Sequence, residues 1–323
     1  MSELSASGSP LVAPSSAAAA QRFNWQYAPL LLLCHLVGLL ALVPWFFSWT
    51  AVVLGVLGCY LFGTLGISVC LHRLLTHRSF ACPLWLEHTL SILAVCTVQE
   101  SPAYWVAIHR RHHHFADEAD DPHSPRQTVF WAHVGWLTVK RGDMQPVPLI
   151  ERYAMDLWRD PFQQRLEESD NWAKIVLASW VAFFALGFGI AIASGASVAE
   201  AMQLGLSVLV WLGAVRTLFG WHTAWAVNSV CHRWGYRGYA TGDLSRNNVL
   251  IGFLASGEGW HNNHHADPNS ARHGRRWWEF DLAWLTIRLL EAVGLAWDVK
   301  RPSPQSAPSA PIAEPEERNG AVR

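Results

Sequence analysis

The chain has 323 residues, of which 51% are hydrophobic and only 15% are charged. Soluble domains carry about 25% charged residues, so this composition favours a membrane protein. The net charge of −1 at pH 7 provides no positive field that would attract nucleic acid, and we expect no nucleic-acid partner. Nineteen tryptophans fit a membrane–water interface, where tryptophan is enriched.

Both ends of the chain have the composition of disordered tails. Residues 1–21 are rich in Ser and Ala, and residues 302–323 in Pro, Ser, Ala and Glu. Residues 22–301 are expected to form one membrane domain. Its apolar stretches of roughly 20 residues or more, the length that crosses a bilayer, are Tyr27–Trp49, Ala51–Cys70, Asn171–Ser194 and Ala201–Trp221. The shorter stretch Leu84–Val98 is predicted to lie at the membrane interface.

Lysine and arginine orient these four spans. The loops between the first and second spans and between the third and fourth spans have none, whereas His72–Asp170 carries ten and the chain after His222 carries eleven. By the positive-inside rule both basic regions, and both termini, are cytosolic. We therefore predict an all-α integral membrane protein with four transmembrane helices and a cytosolic helical cap.

Histidines form three tight boxes, each beyond an apolar run. In the second and third boxes the rings stand at i, i+3 and i+4, which places them on one helix face. The i, i+5 spacing of the first box separates its rings by about 140° on a regular helix, so a shared site requires the helix to end or bend between them. Neutral imidazole is a common ligand of Fe, Zn, Cu and Ni, and we predict a polynuclear metal site on the cytosolic side. The boxes are His72 and His77; His109, His112 and His113; and His261, His264 and His265.

The remaining histidines are interpreted as structural. His35 lies in an apolar run and is expected to pack or to form a hydrogen bond, and His114 is expected to point away from the face of the second box. His123 and His222 stay open as groups that support the site. Histidines without a partner at ligand spacing are His88, His133 and His273.

The boxes HRLLTH, HRRHH and HNNHH match the histidine signature of the membrane-bound fatty acid desaturases. The similarity runs from about Leu32 to Lys300. Asn228–His232 (NSVCH) resembles the family's NSxxH motif, and Gly257–His265 (GEGWHNNHH) resembles the third box of its acyl-CoA, Δ9-type branch. The chain is thus identified by resemblance as a member of this family.

The resemblance implies a di-iron site, with no catalytic residue beyond the metal centre. Asn228 would contact one metal through water. Asp117, Asp121 and Glu258 would orient ligand rings, although solvated or helix-capping acids explain them equally well. The implied iron ligands are His72, His77, His109, His112, His113, His232, His261, His264 and His265.

The implied reaction is the O2-dependent insertion of a cis double bond, at the Δ9 position, into a saturated fatty acyl chain in a bacterial inner membrane. The sequence has no HPGG haem-binding motif, so a separate donor of the ferredoxin or cytochrome b5 type is expected to supply electrons. Animal acyl-CoA desaturases carry an Arg-Asp pair for the CoA head where this chain has Ala107 and Ile108. The head group therefore stays open between CoA, a lipid and a carrier protein.

Three other functions would also involve histidines or membrane spans. A hydroxylase or ketolase uses similar boxes and is the nearest alternative. A metal transporter would place its ligands near mid-span, whereas these boxes follow the spans. A membrane scaffold has no need of histidines at ligand spacing. The boxes therefore favour a desaturase.

Overall fold

A computed structural model describes residues 22–303, so the tails predicted at 1–21 and 302–323 lie, apart from residues 302 and 303, outside the described residues. The described part is mostly helical. Its one sheet pairs β1 (Arg22–Phe23) with β2 (Val139–Lys140) in antiparallel register, with Arg22 opposite Lys140. This pairing ties the segment before the first helix to the middle of the chain.

Most of the helices follow one another with short connections, and longer loops lie at 115–128, 230–248 and 267–281. The first four are α1 (Tyr27–Leu39), α2 (Trp49–Gly58, which continues with π-type turns over Cys59–Thr76), α3 (Leu84–Val95) and α4 (Pro102–His114). The next four are α5 (Val129–His133), α6 (Pro146–Tyr153), α7 (Met155–Trp158) and α8 (Pro161–Glu167). The last six are α9 (Asn171–Ala193), α10 (Val198–Val208, with π-type turns over Leu209–Val215), α11 (Arg216–Ser229), α12 (Val249–Leu254), α13 (His261–Ala266) and α14 (Leu282–Ala292). Short 3-10 turns lie at Leu40–Leu42, Pro44–Phe46, Gly135–Thr138, Gly142–Met144 and Glu168–Asp170.

Within residues 22–303, three helical stretches are long and apolar enough to cross a membrane: Trp49–Thr76, Pro161–Ala193 and Val198–Ser229. The stretch from Pro161 is kinked at Ser169 and Asp170, which have positive φ angles, just before α9. They contain most of the second, third and fourth predicted spans. The third and fourth helices run on to Ala193 and Ser229, and the second extends to Thr76.

The first predicted span, Tyr27–Trp49, is not one helix. Its apolar helix is shorter and ends at Leu42. Pro44 begins a separate 3-10 turn, and Ser48 is extended before α2 starts at Trp49. Proline lacks a backbone N–H and restricts the residue before it, so the helix stops although the apolar run continues.

The turns around Pro44 mark one end of the helix bundle. Gln203 donates to the carbonyl of Trp45 at 2.9 Å, and the Trp211 indole donates to the carbonyl of Phe46 at 3.1 Å. At the other end, Arg110 of α4 donates to the carbonyls of Leu75 (2.8 Å) and Thr76 (3.0 Å). These contacts hold α4 against the end of the α2 stretch, where the first histidine box lies.

The C-terminal part of the chain closes over the same end. Ala81 and Trp297 exchange backbone hydrogen bonds of 2.8 and 2.9 Å, and the Lys300 N–H donates to the carbonyl of Ser79 at 2.8 Å. Asp281 accepts a hydrogen bond from the Trp284 N–H and thereby caps α14. The segment that follows the first histidine box is thus joined by backbone pairing to the segment that follows α14.

Candidate metal centre

The first box lies where the α2 stretch ends. The last helical residue is Thr76, and the His77 N–H donates to the carbonyl of His72, five residues earlier, at 3.2 Å. The Thr76 hydroxyl turns back to the carbonyl of Leu71 at 2.7 Å. This wide final turn brings the rings of His72 and His77 to a centroid distance of 4.9 Å. The helix therefore ends between the two histidines, as their spacing requires.

The second box forms the last turn of α4. Ser101 caps the helix by accepting from the Tyr104 N–H, and Pro102 occupies its first position. His109 and His113 share one face, with their Nε2 atoms 3.1 Å apart. His114 is exposed, and its ring contacts Phe115 and Tyr153 instead.

The third box lies on the short helix α13, which two glycines position. Gly257 has φ +106°, a conformation that favours glycine. A Cβ at Gly259 would overlap the backbone of Gly252. The chain can therefore press α13 against α12, and His261 and His265 then bring their Nε2 atoms to 3.0 Å.

All nine histidines singled out in the sequence converge in two adjoining groups, and within each group the candidate ligand atoms lie within 4.8 Å of one another. The groups touch through His113 and His265, whose ring centroids are 4.6 Å apart. One group comprises His72, His77, His109, His113 and His264, and the other comprises His112, His232, His261 and His265.

Each group combines rings from separate parts of the chain. In the first, His264 places its Nε2 3.0 Å from that of His113 and 3.1 Å from that of His72. In the second, the Nε2 atoms of His232 and His261 are 3.0 Å apart. His232 comes from the NSVCH segment just after α11, so a residue far from the boxes in sequence completes the second group.

Several of the rings are held uncharged by their burial. Burial, reinforced by the neighbouring histidines, holds the pKa values of His77, His109, His113 and His264 well below their usual range. Nitrogen lone pairs are therefore available to a metal at neutral pH. Buried polar atoms nearly always have a partner, yet Nε2 of His77 and Nε2 of His112 have none among the described residues. This neutral nitrogen donor set fits transition-metal ions.

Each acid singled out in the sequence faces the outer nitrogen of a different histidine: Asp117 is 2.8 Å from Nδ1 of His232, Asp121 is 3.0 Å from Nδ1 of His112, and Glu258 contacts Nδ1 of His72. Burial alone would raise the pKa values of these carboxyl groups, but the contacts with histidine lower them below their usual range. An ionised carboxylate beside Nδ1 keeps the ring proton on that nitrogen. The lone pair of Nε2 then points towards the centre and can bind a metal.

The sequence did not single out a fourth acid, Asp243. It lies in the loop between α11 and α12, 2.7 Å from Nδ1 of His265. Burial alone would raise the pKa of Asp243, but His265 lowers it below its usual range. No spacing rule links the two residues, so only the fold reveals that four carboxylates face four rings.

Two further buried residues contact Glu258, beside the first group. His273, which was interpreted as structural, places its Nδ1 3.4 Å from Glu258 and its ring 4.5 Å from that of His264. Arg73 forms ion pairs with Glu258 at 3.2 Å and Asp281 at 2.9 Å. In the sequence, only its position directly after His72 in the first box could have indicated that Arg73 supports the site.

The two histidines left open have different surroundings. His123 is buried, 3.6 Å from Asp121, and its ring lies 4.6 Å from that of His112. His222 lies outside both groups, with nitrogen atoms 3.1 Å from His35 and 3.0 Å from His133. Of these two, only His123 adjoins the centre.

A cavity of about 160 Å³ passes the two groups. Its wall includes His72, His109 and His261, together with Asn228 and aromatic rings such as Trp225. A second cavity, of about 50 Å³, continues beyond and shares wall residues with the first. The residues common to both walls are Ile67, Ala224, Val227 and Glu258. The two adjoining cavities therefore form a candidate channel beside the histidines.

Comparison of the sequence with known proteins agrees with a site of buried imidazoles beside a channel. Residues 47–299 match the family model described as fatty acid desaturase. The sn-1 stearoyl-lipid 9-desaturase of Synechocystis is 40% identical, over 84% of this chain and 79% of the relative. The enzyme of the same name from Anabaena variabilis is 39% identical, over 86% and 94%. The acyl-CoA 5-desaturase of Anemone leveillei is 40% identical, over 80% and 75%.

These relatives share an activity, although their names give different acyl carriers and double-bond positions. The family match covers most of the chain, including all three boxes and the NSVCH segment. The protein belongs to the fatty acid desaturase family and is an oxidoreductase that desaturates fatty acyl chains.

Proposed function

We propose that the chain inserts a cis double bond at the Δ9 position of a saturated acyl chain, using two iron ions and O2. The observation that carries this proposal is the convergence of nine histidines, three of which, His72, His109 and His261, line a cavity. The 9-desaturases among the relatives support the position of the double bond.

The two histidine groups are proposed to hold one iron each, with Asn228 contacting one of the irons through water. Bound iron would supply the oxidising power, because it reacts with O2 by changing oxidation state, which zinc does not. The four facing carboxylates, Asp117, Asp121, Asp243 and Glu258, keep the protons of their partner rings on Nδ1.

The role of the channel in the proposed reaction is to position the acyl chain. Rings such as Trp105, which stacks on His109 at a centroid distance of 5.0 Å, form an apolar wall that excludes water. An acyl chain held in such a channel presents one methylene to the metal centre, and its distance from the head group selects the site of oxidation. Electrons are proposed to come from a separate donor of the ferredoxin or cytochrome b5 type.

The alternative of a hydroxylase or ketolase has no observation in its favour. The relatives described above are all named desaturases. We therefore retain desaturation as the single proposed reaction and use product analysis to test it.

We also propose four membrane spans, a domain over residues 22–301 and an active site on the cytosolic side of a bacterial inner membrane. α1, the first span in chain order, would complete the set of four: Leu31 and Cys34 pack against Trp221 and Trp225 of α11, so α1 lies along the bundle. The absence of Lys and Arg from the connections at the Pro44 end supports this orientation.

A pair of reporter fusions tests the topology. A reporter joined after Pro302 should be active only in the cytosol, and one inserted near Ala196 only outside, because the two sites lie at opposite ends of the bundle. A C-terminal reporter that is active outside the cell would contradict the proposed orientation.

Product analysis tests the reaction. Cells that lack monounsaturated fatty acids and express this chain should accumulate Δ9 cis-monounsaturated C16 and C18 acyl groups, identified by mass spectrometry. Hydroxylated chains without a new alkene would replace the proposal with the hydroxylase alternative. A double bond at another position would contradict the Δ9 assignment.

Two neighbouring histidines test the ligand assignment. His113→Ala removes a ring that contacts both groups, so desaturation should fall to background and iron should be lost. His114→Ala removes an exposed ring and should retain most activity and iron. Both variants are to be compared at equal amounts of membrane-inserted protein. Equal inactivity of the two variants would contradict the placement of the second box.

A further inference from the structure

Three histidines outside the candidate metal centre form a second cluster, which joins three helices. His35 of α1 places its Nε2 atom 3.1 Å from Nε2 of His222 in α11. The other ring nitrogen of His222, Nδ1, lies 3.0 Å from Nε2 of His133 in α5. His222 is exposed, and His35 and His133 are partly buried. The cluster is therefore accessible to small ions.

A backbone carbonyl fixes the proton of one of these rings. Nδ1 of His35 lies 2.7 Å from the carbonyl oxygen of Leu31. A carbonyl only accepts, so Nδ1 carries the ring proton, and Nε2 of the neutral ring has a lone pair that faces His222. Histidines that bind a metal commonly donate their other N–H to a backbone carbonyl in this way. His35 is therefore oriented as a metal ligand.

The other end of the cluster fixes a second lone pair. The Ser229 hydroxyl donates to the carbonyl of Trp225 at 2.9 Å and lies 3.0 Å from Nδ1 of His133. A hydroxyl has one proton, so while it donates to Trp225 it accepts from His133. Nε2 of His133 then accepts from Nδ1 of His222, which leaves a lone pair on Nε2 of His222. Burial lowers the pKa of His133, so this ring does not supply a further proton at neutral pH.

Two lone pairs thus face each other between His35 and His222, and a cation between them resolves the contact. Their separation of 3.1 Å suits a transition-metal ion. A tetrahedral zinc ion with Zn–N bonds of about 2.0–2.1 Å holds two ligand nitrogens roughly 3.3 Å apart. Copper and nickel ions also bind imidazole.

The cluster lies where dissolved ions can reach it in the proposed topology. The helix Val198–Ser229 has 32 residues. At about 1.5 Å per residue its length is roughly 45 Å, whereas the hydrocarbon core of a bilayer is about 30 Å thick. The last turns of this helix, which include His222, therefore lie at the cytosolic interface.

We propose that His35 and His222 bind one divalent transition-metal ion, such as Zn²⁺, at a site separate from the catalytic centre, and that this ion restrains desaturation. The carbonyls at the two ends of the cluster belong to Leu31 and Trp225, which pack against each other and line the main cavity. An ion that joins α1 to α11 holds this wall in place and slows the movements that exchange a long chain. The effect on the rate rests on the proposed role of the cavity, and the binding of the ion does not.

Zinc binding to the iron-loaded enzyme tests the site. The holoenzyme, purified in detergent without a histidine tag, is dialysed against increasing Zn²⁺, and both metals are measured by elemental analysis. We expect about one additional zinc ion per chain and unchanged iron. X-ray absorption of that zinc should show imidazole nitrogen and oxygen ligands. No additional zinc, zinc that enters only as iron leaves, or zinc bound by sulfur would each overturn the inference.

Single variants test the two ligands. His35→Gln and His222→Gln each remove one imidazole, so the affinity for zinc should fall at least about tenfold, while desaturation without zinc remains. His88→Gln is the matched control, because His88 lies outside the cluster and contacts Asp160 at 2.8 Å. Unchanged affinity in the first two variants, or an equal loss in the control, would overturn the ligand assignment. If a variant does not insert into the membrane, the absorption spectrum of the unaltered enzyme still decides the ligands.

The desaturation rate tests the effect of the ion. Zn²⁺ at a concentration that fills the site should lower the rate severalfold, a chelator should restore it, and His222→Gln should be insensitive. A full rate with the site filled, or inhibition that persists in His222→Gln, would overturn the restraint. An enzyme that desaturates no acyl chain even without zinc would count against the desaturase function instead, since the binding experiment requires no turnover.

Discussion

The packing of nine imidazole rings against one another in a dry interior constrains the rest of the structure. Uncharged, the rings leave nitrogen lone pairs that face other lone pairs, and buried polar atoms without partners destabilise a fold. Protonated, they would repel one another. Metal ions resolve both problems, because each ion accepts several lone pairs at once. In the proposed function, the metal centre would be both the catalytic site and a condition for the stable packing of the segments that carry it.

Local backbone features serve this convergence. The wide turn at Thr76 brings His77 back over His72. The glycine at position 259 lets α13 approach α12. Arg73 joins the end of the α2 stretch to Glu258 beside the third box. Together these features bring distant parts of the chain to one site. In the proposed function, the cavity beside them would determine which methylene is oxidised.

Sequence reasoning worked where the information is local. The i, i+3, i+4 spacing of a histidine box depends on a single helix, so the convergence of the rings could be anticipated. The length of the first span could not be read from hydropathy, because Pro44 breaks the helix without interrupting the apolar run. The contacts of Asp243 with His265 and of His273 with Glu258 join segments that only the folded chain brings together. A single sequence carries no spacing signal for such pairs.

Metal content tests the central claim most directly. Protein purified in detergent from iron-replete cells, and shown to be active in desaturation, should contain about two iron ions per chain, since the nine histidines form two groups. Active protein with less than one metal ion per chain would contradict the account, because the convergence of the rings would then serve some purpose other than binding a pair of metals.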